Sequence, residues 1–419
     1  MAGRRHPRSH HRRPRGAEAL DRAAASVHGS QHRRGAEGHA EERLEHGVLV
    51  QAGVREALER KVSGNVGATQ VAAEDTGRAS VTPGEIEPAA ASEGVVTVAN
   101  PSGGRVVGAL SKFSLIVVLA VLWVAFSLWN PSVFATWGNV QAILLQQATV
   151  GLLALAVMVP LVAGHYDLSA GFQFGMAQSL CAVLVLKEGW NPVVSIAAVL
   201  AVGALIGVIN GQLITRLELP SFTTTLGTGL VVLGISELLT SNQVISGTAA
   251  TWFLDLGRGK VLGLPLPFVY LAVVAVVLFV LLELTVWGRR AYAVGANPVA
   301  AQLSGIAADR LVRQSFVTTG VLCALAGCIS VTSLGGSSPV VGFGSLLPAF
   351  AGAFLGATSI RPGRYNVVGT VIAVFVIGVG IIGLQQKGAQ IYVQDLFNGG
   401  ALLVAVIFAT LARRRRAKA

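Results

Sequence analysis

The chain has 419 residues, a mean hydropathy of +0.63 and only 13% charged residues, against roughly 25% in soluble domains. That balance excludes a soluble globular fold and points to an all-α polytopic membrane protein. The 50 glycines suit helices that approach closely in lipid, and the net charge of +11 matters through its placement rather than its sum.

Residues 1–110 differ from everything after them. They hold seven of the eight histidines and open on the basic run RRHPRSHHRRPR. Apolar periodicity is absent, so this stretch reads as a disordered tail. It lacks the apolar core of a secretion signal, and its basic opening soon gives way to mixed charge, which argues against a nucleic-acid partner. Because the tail has no pattern that a membrane protein needs, the natural start is expected downstream, near Val95 or Val96.

From Phe113 onward, apolar runs of membrane length repeat within a domain expected over 111–412, followed by a basic end at 413–419. About 20 apolar residues cross a bilayer. Ten spans are expected, at 113–130, 147–163, 168–186, 192–214, 221–240, 266–287, 312–334, 344–360, 366–386 and 392–412. The second and third are short and are joined by GHYD, a helix break near 164–171; the eighth is also short and ends at RPGR. With Lys112 placed inside, the inner side collects Lys112, Arg216, Arg289, Arg290, Arg310, Arg313, Arg361, Arg364, Arg413 to Arg416 and Lys418. The outer side keeps Lys187, Arg258, Lys260 and Lys387. The positive-inside rule then sets both termini in the cytoplasm.

Eight acids lie beyond the tail: Asp167, Glu188, Glu218, Glu237, Asp255, Glu283, Asp309 and Asp395. Asp167, in GHYDLSAG, can cap the following helix and take N–H groups that lipid cannot satisfy. Such a break can also line a translocation path, since irregular backbone at membrane depth survives only beside protein or a cavity. His165 reads as a hydrogen-bonded filler. Glu237 and Glu283 lie near span ends, where snorkelling to the interface is expected. No ladder of acids or histidines crosses the bilayer, which disfavours a stand-alone secondary carrier with a proton relay. In LPSFTTTLGTGLVVLG (219–234), Phe222 and Thr223 to Thr225 could face a polar substrate, while the small residues permit close packing.

The island GRRAYAVGANPVAAQLSGI (288–306) stands between two apolar runs. Asn297 then Pro298 signals a helix start, and Gly305 suits the position after a helix end. The spacing predicts a two-turn helix with Val299, Ala300 and Leu303 on one side. So short a helix is unstable alone and must lean on something. It is either a handle for a soluble partner or a plain inter-helix loop. Cys181, Cys323 and Cys328 lie in apolar runs without a CxxC or Cys/His cluster, so they read as inert thiols, with no metal centre or disulfide. No GxxxxGK[ST], GxSxG or HExxH is present. The chain is therefore not expected to be an enzyme, and ATP hydrolysis would need another subunit.

Four of these stretches together resemble the membrane-spanning permease subunit of bacterial simple-sugar (ribose, xylose and galactose type) ABC importers, in the superfamily shared with branched-chain amino acid permeases. GHYDLSAG (164–171) looks like the family's G-G-x-D-L-S-x-G. LPSFTTTLGT (219–228) is similar to P-x-F-x-x-T-L-G-T/M. The island at 288–306 resembles G-R-x-x-Y-A-x-G-x-N-x-x-A-A-x-x-S-G-I, and FLGATSIRPGRYNVVGTVIA (354–373) resembles a late family segment. The chain departs at His165 and Tyr166, where Gly and Ile are usual, and at Ala373, where Gly is common. The resemblance implies a ten-helix permease that works as a homodimer in the bacterial cell membrane. It implies an ABC ATP-binding subunit that holds ATP and Mg, so that this chain carries no cofactor, and an exported sugar-binding protein. By position it gives Arg289, Arg290, Asn297, Ala300, Ala301, Leu303 and Gly305 a role in coupling to the ATPase. Asp167, Ser169 and Gly171 take the signature of the broken helix, and with Phe222 and Thr224 they are candidates for the translocation path. Import of a monosaccharide is the implied function; another small polar solute, such as a branched-chain amino acid or nucleoside, or a stand-alone carrier, is the alternative.

Overall fold

The helices begin where polar side chains can close their first turns. In the computed structural model, which describes residues 113–338, 341–390 and 392–416, Thr136, Asn191, Thr285, Asn297 and Asn366 each accept a hydrogen bond from a backbone N–H two or three residues ahead. Such caps each contribute about 1 kcal/mol, and in lipid they also satisfy donors that have no water. The chain divides into residues 1–97 and residues 98–419; the described residues belong to the second unit. The expectations for the tail 1–110, for a start at Val95 or Val96, and for Lys112 and Lys418 lie outside the described residues.

The elements are α1 (Ser114–Trp129), α2 (Trp137–Val162), α3 (Ser169–Ala182, extended by a π turn at Val183–Lys187), α4 (Pro192–Arg216) and α5 (Ser221–Thr240). Next come β1 (Ile245–Ser246), α6 (Thr251–Arg258), β2 (Lys260–Val261), β3 (Leu264–Pro265) and α7 (Leu266–Phe279, with a π turn at Val280–Leu284). Then follow α8 (Val286–Ala296), α9 (Pro298–Leu303), α10 (Ala308–Leu334), β4 (Gly336–Ser337), α11 (Val341–Gly356), α12 (Val367–Gln385) and α13 (Tyr392–Arg416). Two small antiparallel pairs, β1 with β4 and β2 with β3, tie loops together at one end.

Seven described helices, α2, α3 with its π turn, α4, α5, α7 with its π turn, α10 and α12, are long and apolar enough to cross a membrane. α1 and α11 are apolar but shorter, at 16 residues each. The chain is thus a mostly helical multi-pass membrane protein. α2, α3, α10 and α12 are mostly buried, whereas α4, α5 and α7 turn most of their surface outward. The outward residues are apolar as well, Leu230, Val231 and Leu238 on α5 among them, which is stable against lipid and not against water. The main core joins Leu152 to Met158 of α2, Phe174 of α3, Leu271 and Leu282 of α7, Cys323 of α10 and Phe350 of α11. Gly203 and Gly207 of α4 lie directly against the α10 backbone.

Several boundaries move from their expected places. α2 starts at Trp137 rather than 147 and is no short helix, at 26 residues. Its early polar residues are accommodated rather than excluded: Gln141 binds the Gly263 carbonyl and Lys260, and Asn139 binds Gln386. α7 stops at Leu284 because Thr285 adopts extended backbone and caps a separate helix, α8. α10 begins at Ala308 rather than 312, α11 ends at Gly356 rather than 360, and α6 with its flanking strands was not foreseen. All three cysteines are buried free thiols.

Candidate functional site

At one end of the bundle, contacts join the 163–168 connection to the start of α5 and to the 285–307 segment, and that segment to the 357–366 connection. The first part of this end is a knot of buried polar groups. After Val162 the chain turns at Gly164, and Asp167 starts α3 from a fully buried position. Its Oδ1 accepts from the Ser169 backbone N–H at 3.0 Å and from the Ser169 hydroxyl at 2.5 Å. The Ser169 hydroxyl in turn accepts from Gln173 Nε2 of the next turn (2.7 Å) and from Asn210 Nδ2 of α4 (2.8 Å). The Thr228 hydroxyl of α5 donates to Asn210 Oδ1 at 2.7 Å, and Thr225 accepts from the Leu168 N–H at 3.0 Å. The Ser221 hydroxyl accepts from the Tyr166 N–H. Three helices are therefore pinned to one carboxylate. Asp167 Oδ2 and Gln173 Oε1, both buried, have no hydrogen-bond partner. Asp167 lies in the connection between spans, where burial pushes its carboxyl up to about 6 against the opposing pull of hydrogen bonds from Ser169 and Ala170.

Asp167, Ser169 and Gly171, expected together, lie on this knot; a Cβ on Gly171 would stand 2.7 Å from the Gly342 carbonyl oxygen of α11. Phe222 and Thr224 do not join it. Phe222 is exposed, and the Thr224 hydroxyl donates back to the Pro220 carbonyl at 2.8 Å, a bond that threonine readily makes in helices. Gln173, Asn210 and Thr228 were missed. Their signal was available: each is an uncharged polar residue inside an apolar run, where an unpartnered amide or hydroxyl is costly. His165 is not hydrogen-bonded through its ring; the ring meets Phe316 edge-on at 6.3 Å, and burial lowers its pKa.

The second part of this end is α8 with α9. Asn297 has an extended backbone (φ −155°, ψ 100°), and its Oδ1 accepts from the Ala300 N–H at 3.0 Å. The helix closes at Gly305 (φ +78°), with Gly305 N–H donating to the Gln302 carbonyl and Ile306 N–H to the Ala301 carbonyl. This pair of bonds is a Schellman ending, which favours glycine at the left-handed position. α9 leans on the bundle through Ala301, which packs with Ile214, Val294, Ala308, Leu311, Val312 and Phe316. Val299, Ala300 and Leu303 face outward, and Leu303 is 86% exposed. Arg289, Arg290 and Asn297 are exposed as well.

α8 is anchored at two points in its C-terminal half. A Cβ on Gly295 would lie 2.1 Å from the Val162 carbonyl oxygen, so the helix passes against the end of α2 backbone to backbone. One turn earlier, the Tyr292 hydroxyl donates to the Tyr365 carbonyl at 2.7 Å, and the Arg364 guanidinium lies 3.5 Å from the Tyr292 ring centroid. Burial, aided by Glu283, pushes the Tyr292 phenol up to about 12. Glu283 does not snorkel. Its side chain is 6% exposed and is paired with Arg361 and, at 3.7 Å, with Arg364 of the RPGR connection. Two arginines supply the countercharge that a free interfacial acid would draw from water. Among the described residues no group of acids, histidines and cysteines could hold a metal ion.

The family described as "Branched-chain amino acid transport system / permease component" matches residues 139–406. The chain belongs to this family. The ribose import permease protein RbsC of Bacillus subtilis is 35% identical to this permease component over 301 residues, covering 72% of this chain and 93% of that protein. The fructose import permease protein FrcC of Rhizobium meliloti is 30% identical, covering 70% and 83%. The L-arabinose ABC transporter permease protein AraH of Azospirillum brasilense is 30% identical, covering 79% and 94%. No solved structure matches this permease component. The matched residues run from the first turn of α2 through α12, and hence include both the Asp167 knot and the α8–α9 segment.

Proposed function

We propose that this chain is the membrane-spanning subunit of an ATP-driven importer that moves a monosaccharide, of the ribose or xylose kind, across the bacterial cell membrane. The reading rests on one observation above the others. At the end where arginines gather, the chain builds a short, well-capped helix and leaves its apolar side, Val299, Ala300 and Leu303, open. An exposed apolar helix face suits insertion into a groove of a partner, and that partner would be a cytoplasmic ABC ATP-binding subunit holding ATP and Mg. This chain has no cofactor of its own in the proposal. Arg289 and Arg290 flank the handle, Asn297 and Gly305 fix its two ends, and Ala301 seats it. An extracytoplasmic sugar-binding protein delivers the solute, and two copies of the chain pair in the membrane. The ribose, fructose and L-arabinose permeases that the chain resembles favour the sugar over a branched-chain amino acid or nucleoside.

In this proposal, residues 111–412 are the permease domain and cross ten times. α1, α11 and α13 add to the seven long helices; α1 and α11 are about 24 Å long, slightly less than the ~30 Å hydrocarbon core, and the shortfall is met by tilt-free packing or local thinning. Both termini then lie in the cytoplasm, the basic end 413–419 included, with the α8–α9 handle on the same side. Asp167, Ser169 and Gly171 stand beside the translocation path, with Phe222 and Thr224 on the neighbouring helix start.

The Leu303→Asp variant tests the handle. Uptake and sugar-stimulated ATPase activity should fall at least about tenfold while membrane insertion is unchanged, since the side chain touches only solvent within this chain and surface changes leave stability nearly intact. Normal uptake by that variant would refute the assignment. Uptake by the chain reconstituted alone, driven by an ion gradient, would replace the whole reading with a secondary carrier.

A further inference from the structure

A groove of about 610 Å³ opens beside α10, between α4, α7 and α8, at the end that carries α9. Its size falls in the ~300–1,000 Å³ range of small-molecule sites. Its lining is graded. Toward the middle of the bundle the walls are mostly apolar, with Val208 of α4, Leu281 of α7 and Val317 of α10, beside Thr318, whose hydroxyl donates to the Gln314 carbonyl of its own helix. Toward the end they are polar and cationic. Arg310 and Arg313 are on the first turns of α10, the Trp287 indole donates to Gln314 Oε1 at 2.9 Å, and Gln212 Oε1 is buried without a partner.

The arginines are not spoken for inside the protein. Arg313 reaches the Thr215 hydroxyl at 3.1 Å, and no carboxylate among the described residues pairs with either arginine. The acids nearby do not change this. Glu283 is held by Arg361 and Arg364 on another side of α7. Asp309 is next to Arg310 and four residues before Arg313, a spacing at which helix side chains can meet, but among the described residues it pairs with neither arginine and it does not line the groove.

We propose that this groove holds one anionic phospholipid, its phosphate between Arg310 and Arg313 and its acyl chains along Val208, Leu281 and Val317. Basic pockets between membrane helices suit such headgroups. A free phosphate would leave the apolar half of the groove uncovered, and a zwitterionic lipid would bring a cation into a site that already holds two. The Trp287 ring sits where aromatic residues mark the boundary between headgroup and hydrocarbon. A glycerol headgroup adds a hydroxyl donor for Gln212 Oε1, so phosphatidylglycerol fits better than a bare phosphatidate. The site depends on membrane residence alone and stands whatever solute the chain carries.

The test is delipidated full-length permease titrated with phosphatidylglycerol and, separately, with phosphatidylcholine of the same acyl chains, with bound lipid counted by native mass spectrometry. The wild-type chain should take up one phosphatidylglycerol with a preference of about tenfold or more, and that preference should shrink as salt is raised. The Arg310→Gln/Arg313→Gln double variant should lose the preference, while Lys260→Gln, a charge loss at the opposite end, should keep it. Equal retention of the two lipids by the wild-type chain, or a preference untouched by salt, overturns the proposal without reference to any variant. A double variant that still discriminates also overturns it. Glycerol phosphate displacing the lipid at equal concentration would assign the site to a soluble anion instead.

Discussion

Asp167 and Asn297 do the same local work in opposite surroundings. Each presents a carboxylate or amide oxygen to backbone N–H groups at a helix start. Asp167 is fully buried and drags three helices into its hydrogen bonds; Asn297 is exposed, and the helix behind it touches the bundle mainly through Ala301. A cap that is covered becomes a structural joint, because every donor near it must be satisfied by protein. A cap left in the open fixes only its own helix and frees the rest of that helix for contact with something else.

Substitutions can break this contrast or sharpen it. Asp167→Ala should have the largest effect, removing about 1–3 kcal/mol by stranding the Ser169 N–H and hydroxyl. It should be read as a fall in melting temperature of the detergent-purified chain. Asp167→Asn, which keeps an acceptor oxygen, should lose less, and equal melting of Asp167→Ala and wild type would show that the buried joint is no joint. Gly295→Ala should follow at about 2 kcal/mol, since its methyl group meets the Val162 carbonyl oxygen and close-packed sites resist added volume. Gly305→Val should cost about 1–2 kcal/mol at a left-handed position; proteolysis near α9 should report it better than global melting. Leu303→Asp should change stability least, by no more than about 0.5 kcal/mol, in the same membranes where its uptake is lost. A large drop in melting temperature for Leu303→Asp would place that residue in the fold rather than in a contact surface.

The open region was more legible than the buried one. The start at Asn297–Pro298, the ending at Gly305 and the apolar side at Val299, Ala300 and Leu303 all follow from neighbours within one or two turns, and the structure places them so. The buried knot depends on residues far apart. Asp167 as a cap was readable from Leu-Ser-Ala after it, but Asn210 lies 41 residues from Ser169, and spacing along the chain carries no hint of that pairing. Glu283 fails for the same reason, because its arginine partner is 78 residues away and a lone acid near a span end reads as interfacial. The early start of α2 was hidden by Gln141, Gln146 and Gln147, which lower local hydropathy without breaking a helix.

The placing of α8 carries one more consequence. Its glycine end abuts the last turn of α2, and its tyrosine is latched to the 357–366 connection that leads into α12. Two anchors one turn apart on so short a rod behave as a yoke: that stretch cannot shift without tugging an early and a late crossing in the same stroke. In the proposed assembly, a partner that gripped the neighbouring handle would pull on an early and a late crossing together, not on one loop.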